Sequence, residues 1–307
     1  MVEHFVSKIE ESTKKIVLDF DPTDSLVYGK QEERHYHGYY RDYCFLPMHV
    51  FSGDDLVATW LRPSNIDGAK YAGAILKLIV NKIRQGFPDM QIVYRGDSAF
   101  ARKYVLYWCE NNNVEYVVGI PGNNVLKNKI ENRLETLISN QKESGEEQKE
   151  FLEFMYKAES WNKERRVIAK IEVNNNGSNR RFLITNNDEK TPEEIYNNEY
   201  CPRGDMENKI KQLKLDLKGD KFSCHCFVAN QFRNFITGLA YIIVNKIRKK
   251  LLSGTELGKA YCGRIMLKLF KIGAVIIEKK TKIIYLLSSQ YPFKNIFINA
   301  MKKLVPG

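Results

Sequence analysis

Three carboxylates occupy positions where a charge is costly unless it has a task. Asp21 ends the apolar run Ile16-Val17-Leu18-Asp19-Phe20, and Asp97 follows the apolar run Ile92-Val93-Tyr94. Glu207 lies in a helix-patterned stretch, with Arg203 before it and Lys211 and Lys214 after it. An unpaired carboxylate in an apolar strand is expensive. Side chains alternate along a strand, so Asp19 and Asp21 share a face, and the carboxyl ends of strands are where open α/β sheets place their sites. Tyr200, Arg203, Glu207 and Lys214 recur at helical spacing, so one helix face would present all four. Hard divalent cations prefer carboxylate oxygens, and two such ions roughly 3.5–4 Å apart serve phosphoryl transfer. Neighbouring Arg and Lys would clamp a phosphate backbone. The plainer reading of the same residues is a solvated helix face laced with salt bridges and an Asp that caps a helix.

The elements that must position these groups follow from pattern. Lys15 to Asp21 is a buried-strand run stopped by Pro22, and a polar, aromatic loop follows from Ser25 to Arg41. Tyr43 to Phe51 and Leu56 to Leu61 read as two strands joined at Ser52-Gly53-Asp54. Asp67 is expected to cap a helix over Ala69 to Arg84, ended by Gly86-Phe87-Pro88. A strand at Gln91 to Tyr94, a helix at Ala99 to Glu110 and a strand at Glu115 to Ile120 complete a mixed sheet with helices packed on it. An amphipathic helix around Ile130 to Ile138 then leads into strands at Phe151 to Lys157, Arg166 to Val173 and Arg181 to Thr185, an antiparallel unit that interrupts the α/β pattern. Helices are expected from Glu193 through Leu217 and from Ala229 to Leu252, then a short helix, a hairpin (Ala274 to Ile277, Ile283 to Leu287) and a helix near Asn295 to Leu304.

Composition narrows the class. At 307 residues the chain can bury a sizeable core, and 17 Tyr with 16 Phe argue against disorder. The net charge of +11 suits an acidic polymer as partner. Six cysteines without framework spacing and a polar N-terminus point to a reducing compartment, and no apolar stretch is long enough to span a membrane. Cys224-His225-Cys226 and His35-x-His37 are too tightly spaced for a structural zinc site. The basic cluster Lys246, Arg248, Lys249 and Lys250 either tracks DNA or is a solvated helix end favoured by the helix dipole.

Tyr200-x2-Arg203-x3-Glu207-x6-Lys214 resembles the Y-(2)-R-(3)-E-(6)-K signature of a group of bacterial DDE transposases. Asp21-Pro22-Thr23 resembles that group's first motif and Arg95-Gly96-Asp97-Ser98-Ala99-Phe100 its second. Leu18 to Asp24, Leu61 to Asn65, Trp161 with Arg165-Arg166-Val167, and Glu207 to Lys211 extend the resemblance to the thirteen-eighty group of insertion sequences, from about Val17 to Tyr241.

The resemblance implies a ribonuclease-H-like α/β fold, a mixed sheet flanked by helices, with a small antiparallel β insertion between the second and third acids. Its parts would be residues 1–122 and 191–252 for the catalytic core, 123–190 for the insertion and 253–307 for a helix-hairpin-helix extension. It implies that Asp21, Asp97 and Glu207 are catalytic and hold two Mg²⁺ or Mn²⁺ ions. Tyr200, Arg203, Lys211, Lys214, Arg165 and Arg166 would contact DNA. Trp161 would either stack on a flipped base or fill the core of the insertion. Asp19 would support the ligands or replace Asp21 among them. The implied partners are double-stranded transposon ends and target DNA, bound by a homodimer in the bacterial cytoplasm, at the nucleoid, with no membrane. Members of the group carry a substantial region before the first acid, whereas only 20 residues precede Asp21. The expectation is therefore an N-terminally shortened chain, either an active transposase or an idle DNA-binding remnant, with a nuclease of the same fold as a third reading.

Overall fold

In the computed structural model, which describes residues 1–304, the apolar run after Lys14 forms β1 (Lys15–Pro22) inside an eight-stranded sheet. A short helix, α1 (Val2–Val6), precedes it. Beyond β1, the loop expected at 25–41 carries β2 (Ser25–Leu26) and β3 (His35–His37), which pair with β4 (Asp42–Phe45) in a small sheet of order β2-β4-β3. The strand expected from Tyr43 to Phe51 is thus two, split at Leu46-Pro47: β4, and β5 (Met48–Ser52) in the large sheet. With β6 (Asp55–Trp60), β5 folds back antiparallel on one side of β1. Parallel to β1 on its other side runs β7 (Gln91–Gly96), and β8 (Glu115–Ile120) is parallel to β7. The segment expected as an insertion continues the same sheet. Strands β9 (Gln148–Tyr156), β10 (Arg165–Asn174) and β11 (Gly177–Thr185) form an antiparallel meander, and β11 pairs antiparallel with β8. The complete order is β6-β5-β1-β7-β8-β11-β10-β9.

Period-two alternation divides the sheet into two faces. Ile16, Leu18 and Phe20 of β1, Ile92 and Tyr94 of β7, and Tyr116 and Val118 of β8 join one core with α2 (Ala72–Gly86), α3 (Lys103–Asn111) and α4 (Asn124–Ser144). Each fully buried side chain there contributes roughly 1.5–3 kcal/mol of transfer free energy. Helix α2 starts later than expected because Tyr71 has a positive φ of 71°; Asp67 instead takes the Ala69 N–H at 2.9 Å in the turn before it.

Across the opposite face lies the helical path 192–216. It is not the single α-helix expected but α5 (Pro192–Glu194), a π-helical turn Ile195–Tyr200, a 3₁₀ turn Cys201–Gly204, α6 (Asp205–Lys211) and a second π-helical turn Gln212–Asp216. Pro202 cannot donate to the turn before it and Gly204 has low helix propensity, so Cys201-Pro202-Arg203-Gly204 cannot sustain a regular α-helix. Ile195 and Tyr196 pack on Val93, Val117, Ile168 and Leu183, while Met206, Ile210 and Leu213 meet Phe51, Leu56 and Tyr241.

The last of these belongs to α7 (Phe227–Lys250), followed by α8 (Cys262–Ile265), the exposed hairpin β12 (Ala274–Lys279) and β13 (Lys282–Leu287), and α9 (Lys294–Leu304). In the basic end of α7, Arg248 is buried on Asn245 and the Ala260 carbonyl and Lys249 pairs with Asp55 at 2.9 Å, so these two brace the fold. No helix among the described residues is long and apolar enough to cross a membrane.

Candidate active site

Since Leu18 and Phe20 point into the α2–α4 core, Asp19 and Asp21 point to the other face, under the helical path. Arg95 pairs with Asp19 in register across β1 and β7. Its guanidinium donates from Nε and Nη2 to the two Asp19 oxygens, the second at 2.7 Å, and from Nη1 to the Glu199 carbonyl of the first π-turn. Both side chains are buried. Glu199 also accepts from Lys15 at 2.7 Å and from Lys190. Burial works to raise the Glu199 carboxyl, but these two lysines hold it below its ordinary range. Asp19 is therefore consumed in tying the helical path to the sheet.

Gly96 and Phe100 fix the second acid. A Cβ on Gly96 would stand 2.8 Å from the Phe100 side chain, so only glycine lets Phe100 fold back beneath the strand. Phe100 then packs tilted against Phe20 and edge-on against Tyr94, with centroids at 6.1 and 6.4 Å. The resulting turn leaves Asp97 as the cap of the 3₁₀ turn Ser98–Phe100, its Oδ1 accepting the Ala99 N–H at 2.8 Å. The capping reading of Asp97 is correct as far as it goes, but the other oxygen, Oδ2, faces Arg203 at 3.7 Å.

Arg203 lies between the first two acids. Its Nη2 is 3.5 Å from Asp21 Oδ1, and its Nε is buried with no hydrogen-bond partner among the described residues. Burial pushes the Asp21 carboxyl up to about 7; Arg203 opposes that, and the charges of Asp97, Glu207 and Asp19 add to it. Asp21 and Glu207 line one cavity of about 310 Å³ with Thr23, Lys211 and Lys214. Lys214 Nζ bonds Thr23 Oγ1 at 3.2 Å and Asp24 Oδ1 at 3.1 Å. Tyr200 lies over β8, its hydroxyl 3.0 Å from where a Cβ on Gly119 would be. A larger apolar cavity of about 420 Å³, between Met1, Trp60, Leu78 and Phe235, contains no titratable side chain.

Of the ten site residues expected from sequence, Asp21, Asp97, Glu207, Tyr200, Arg203, Lys211 and Lys214 come together. The other three do not, because each is engaged within the fold. Trp161 is 9% exposed, stacked edge-on against Tyr156 at 5.5 Å with the Arg165 guanidinium over its ring at 5.0 Å. Arg165 is buried on Glu110, at 2.8 and 3.2 Å. Arg166 is spent on Glu153 and on the carbonyls of Asn187 and Lys190. Sequence reasoning gave no individual role to Asp24 or Arg95; their charge within the first two motif strings was the available signal. Among the described residues no three His, Cys, Asp or Glu side chains converge as closely as a bound ion would draw them. Arg203 stands between Asp21 and Asp97 instead.

Residues 1–306 match the family model of transposase DDE domains, group 1. The chain belongs to this family. Among solved structures, this DDE domain is similar to the cryo-EM structure of piggyBac transposase in a synaptic complex with hairpin DNA, at 11% sequence identity and a TM-score of 0.44. The similarity covers 74% of this chain and 46% of that one, so the domain spans less than half the length of that transposase. No curated protein matches it.

Proposed function

We propose that this DDE domain is the catalytic core of a transposase of the thirteen-eighty group, cleaving DNA at transposon ends and joining the freed strands to target DNA as a homodimer on paired ends. The strand order, β6-β5-β1 antiparallel with β7 and β8 parallel to β1, supports a ribonuclease-H-like core, with β9–β11 as the insertion between the second and third acids. The observation that carries the activity is the surplus of negative charge around Arg203. A carboxyl raised to about 7 by burial and by three neighbouring acids has less positive charge beside it than it needs.

That surplus fits divalent cations held by Asp21, Asp97 and Glu207, since carboxylate oxygens are the donors that Mg²⁺ and Mn²⁺ select. When bound, two such ions activate the attacking oxygen and stabilise the leaving oxygen of an in-line displacement. The chain's own groups do the positioning. The Ala99 N–H fixes one Asp97 oxygen and leaves the other directed at the cleft. Asp19, Arg95 and Glu199 lock the helical path over the strand ends, so Glu207 is held to the same cavity as Asp21. Lys211 and Lys214 line that cavity and would hold the phosphates flanking the cut. Arg203, relieved of its two long carboxylate contacts, would turn its fork to the same backbone.

The test is metal-dependent nicking and strand transfer on DNA carrying the element's inverted repeats. Asp97→Ala and Glu207→Gln are each expected to lower the rate by at least roughly 10³-fold. Activity that survives both substitutions would refute the site. An inactive wild type that still binds the repeats would mark the chain as an idle remnant.

A further inference from the structure

The small sheet beside the cleft has a surface chemistry of its own. Between residues 28 and 43 every exposed large hydrophobic side chain is a tyrosine: Tyr28 at 81%, Tyr39 at 83%, Tyr36 at 57% and Tyr43 at 44%. Tyr36 and Tyr43 are cross-strand partners in β3 and β4, with ring centroids 5.8 Å apart, and the Arg34 guanidinium lies 4.6 Å over Tyr43. At the tip of the same hairpin, Tyr39 and Tyr40 stack edge-on at 5.0 Å.

This surface is braced. Ser64 Oγ donates to the His35 carbonyl at 2.8 Å, Gln31 Nε2 donates to the Phe222 carbonyl at 3.2 Å, and Glu32 accepts the Phe227 N–H at 3.0 Å. Phe45 packs edge-on between Phe222 and Phe227. The sheet also adjoins the acids: β1 runs from Asp21 through Thr23 and Asp24 directly into β2, and Lys214 bonds both connecting residues. Tyr40, half-buried, has its hydroxyl pushed up to about 12 by burial and by the charges of Asp24 and Asp21.

Along 28–43 the bases Lys30, Arg34 and Arg41 are matched by Glu32, Glu33 and Asp42, so the patch has no net charge with which to hold phosphates. Rigid aromatic rings, an Arg plane and no exposed aliphatic side chain suit the faces of unpaired bases, which stack on aromatics whatever their sequence. Trp161 is buried, whereas these rings are exposed on the sheet that continues from β1.

Resting on the transposase reading, we propose that Tyr36, Tyr39 and Tyr43 form a stacking platform for the unpaired bases of single-stranded DNA that leaves the cleavage site. The platform holds the flanking strand, while the cleft lysines hold the duplex.

The experiment is equilibrium binding of the full chain, without divalent ions so that no cut occurs, to one duplex either blunt or carrying about five unpaired nucleotides with 2-aminopurine among them. The tailed duplex should bind roughly tenfold more tightly, with the 2-aminopurine emission changed by stacking. Tyr36→Ala with Tyr39→Ala should erase that preference and leave blunt-duplex binding unchanged, while Tyr36→Phe with Tyr39→Phe should keep it. Equal binding of both duplexes by the wild type, or an alanine variant that keeps the preference, overturns the platform; so does one that loses blunt and tailed binding together. If that variant keeps the preference but sediments differently, the tyrosines are a protein contact and the proposal fails. Loss of blunt binding in Lys211→Ala with Lys214→Ala supports the transposase reading even where the platform fails. A wild type that binds neither duplex defeats both.

Discussion

Arg95 and Arg203 each face an aspartate of β1, yet they meet opposite circumstances. Arg95 is closed in: both Asp19 oxygens and the Glu199 carbonyl take its protons, and both side chains are buried. Arg203 makes two long approaches to Asp21 and Asp97 and leaves Nε without a partner. A charge whose every donor is used inside the protein holds the fold, whereas a charge left half-used at a cavity is held for something that arrives. Arg166 belongs with Arg95, and Lys211 and Lys214 belong with Arg203.

The sharpest way to break this distinction is to remove one arginine of each kind. Arg95→Ala strands Asp19 as a buried, uncompensated charge and should cost about 3–5 kcal/mol of unfolding free energy in denaturant titrations. Arg203→Ala should leave that free energy within about 1 kcal/mol and lower the cleavage rate roughly 100-fold, about 2.7 kcal/mol of activation free energy. If Arg203→Ala unfolds the chain and Arg95→Ala does not, the assignment is reversed.

Protonation of Asp21 tests the same contrast. Its carboxyl, ordinarily near 3.8, is raised to about 7, so the folded chain holds that proton more tightly than the unfolded chain. The sign follows: without divalent ions, the cost of ionising Asp21 is absent below about pH 4, grows as pH rises, and is complete above about 7. Asp21→Asn should therefore melt roughly 2–4 °C above the wild type at pH 8 and show no such gain at pH 4. Lower melting of the variant at pH 8 would mean that Arg203 already satisfies Asp21. The smallest expected effect is electrostatic. Lys211→Ala and Lys214→Ala should each reduce the salt dependence of duplex binding by about one released counterion, whereas Arg166→Ala should leave it unchanged because its donors are spent on Glu153 and two carbonyls.

Much of this was legible in the sequence because it depends on local pattern. The apolar runs of β1, β7 and β8 declare themselves, and the acids at their ends follow from period two. The Asp19–Arg95 pair was not legible, since it needs the parallel register that sets Asp19 beside Arg95 across the sheet. Nor was the fate of Trp161, Arg165 and Arg166, whose partners Tyr156, Glu110 and Glu153 meet them only after β9 and β10 have paired and docked. The strands of the small sheet are two to four residues long, too short for alternation to rise above a polar, aromatic background.

The irregular helical path has a consequence of another kind. In a 3₁₀ turn, residues three apart stand directly above one another, so Tyr200 and Arg203 are in phase, and α6 carries that phase on to Glu207. Adding or deleting one residue between Arg203 and Glu207 would swing the acid about 100° around the helix axis and out of the cleft, with every side chain still present. What the segment encodes is a rotation angle as much as a set of side chains, and the number of residues between Arg203 and Glu207 sets that angle.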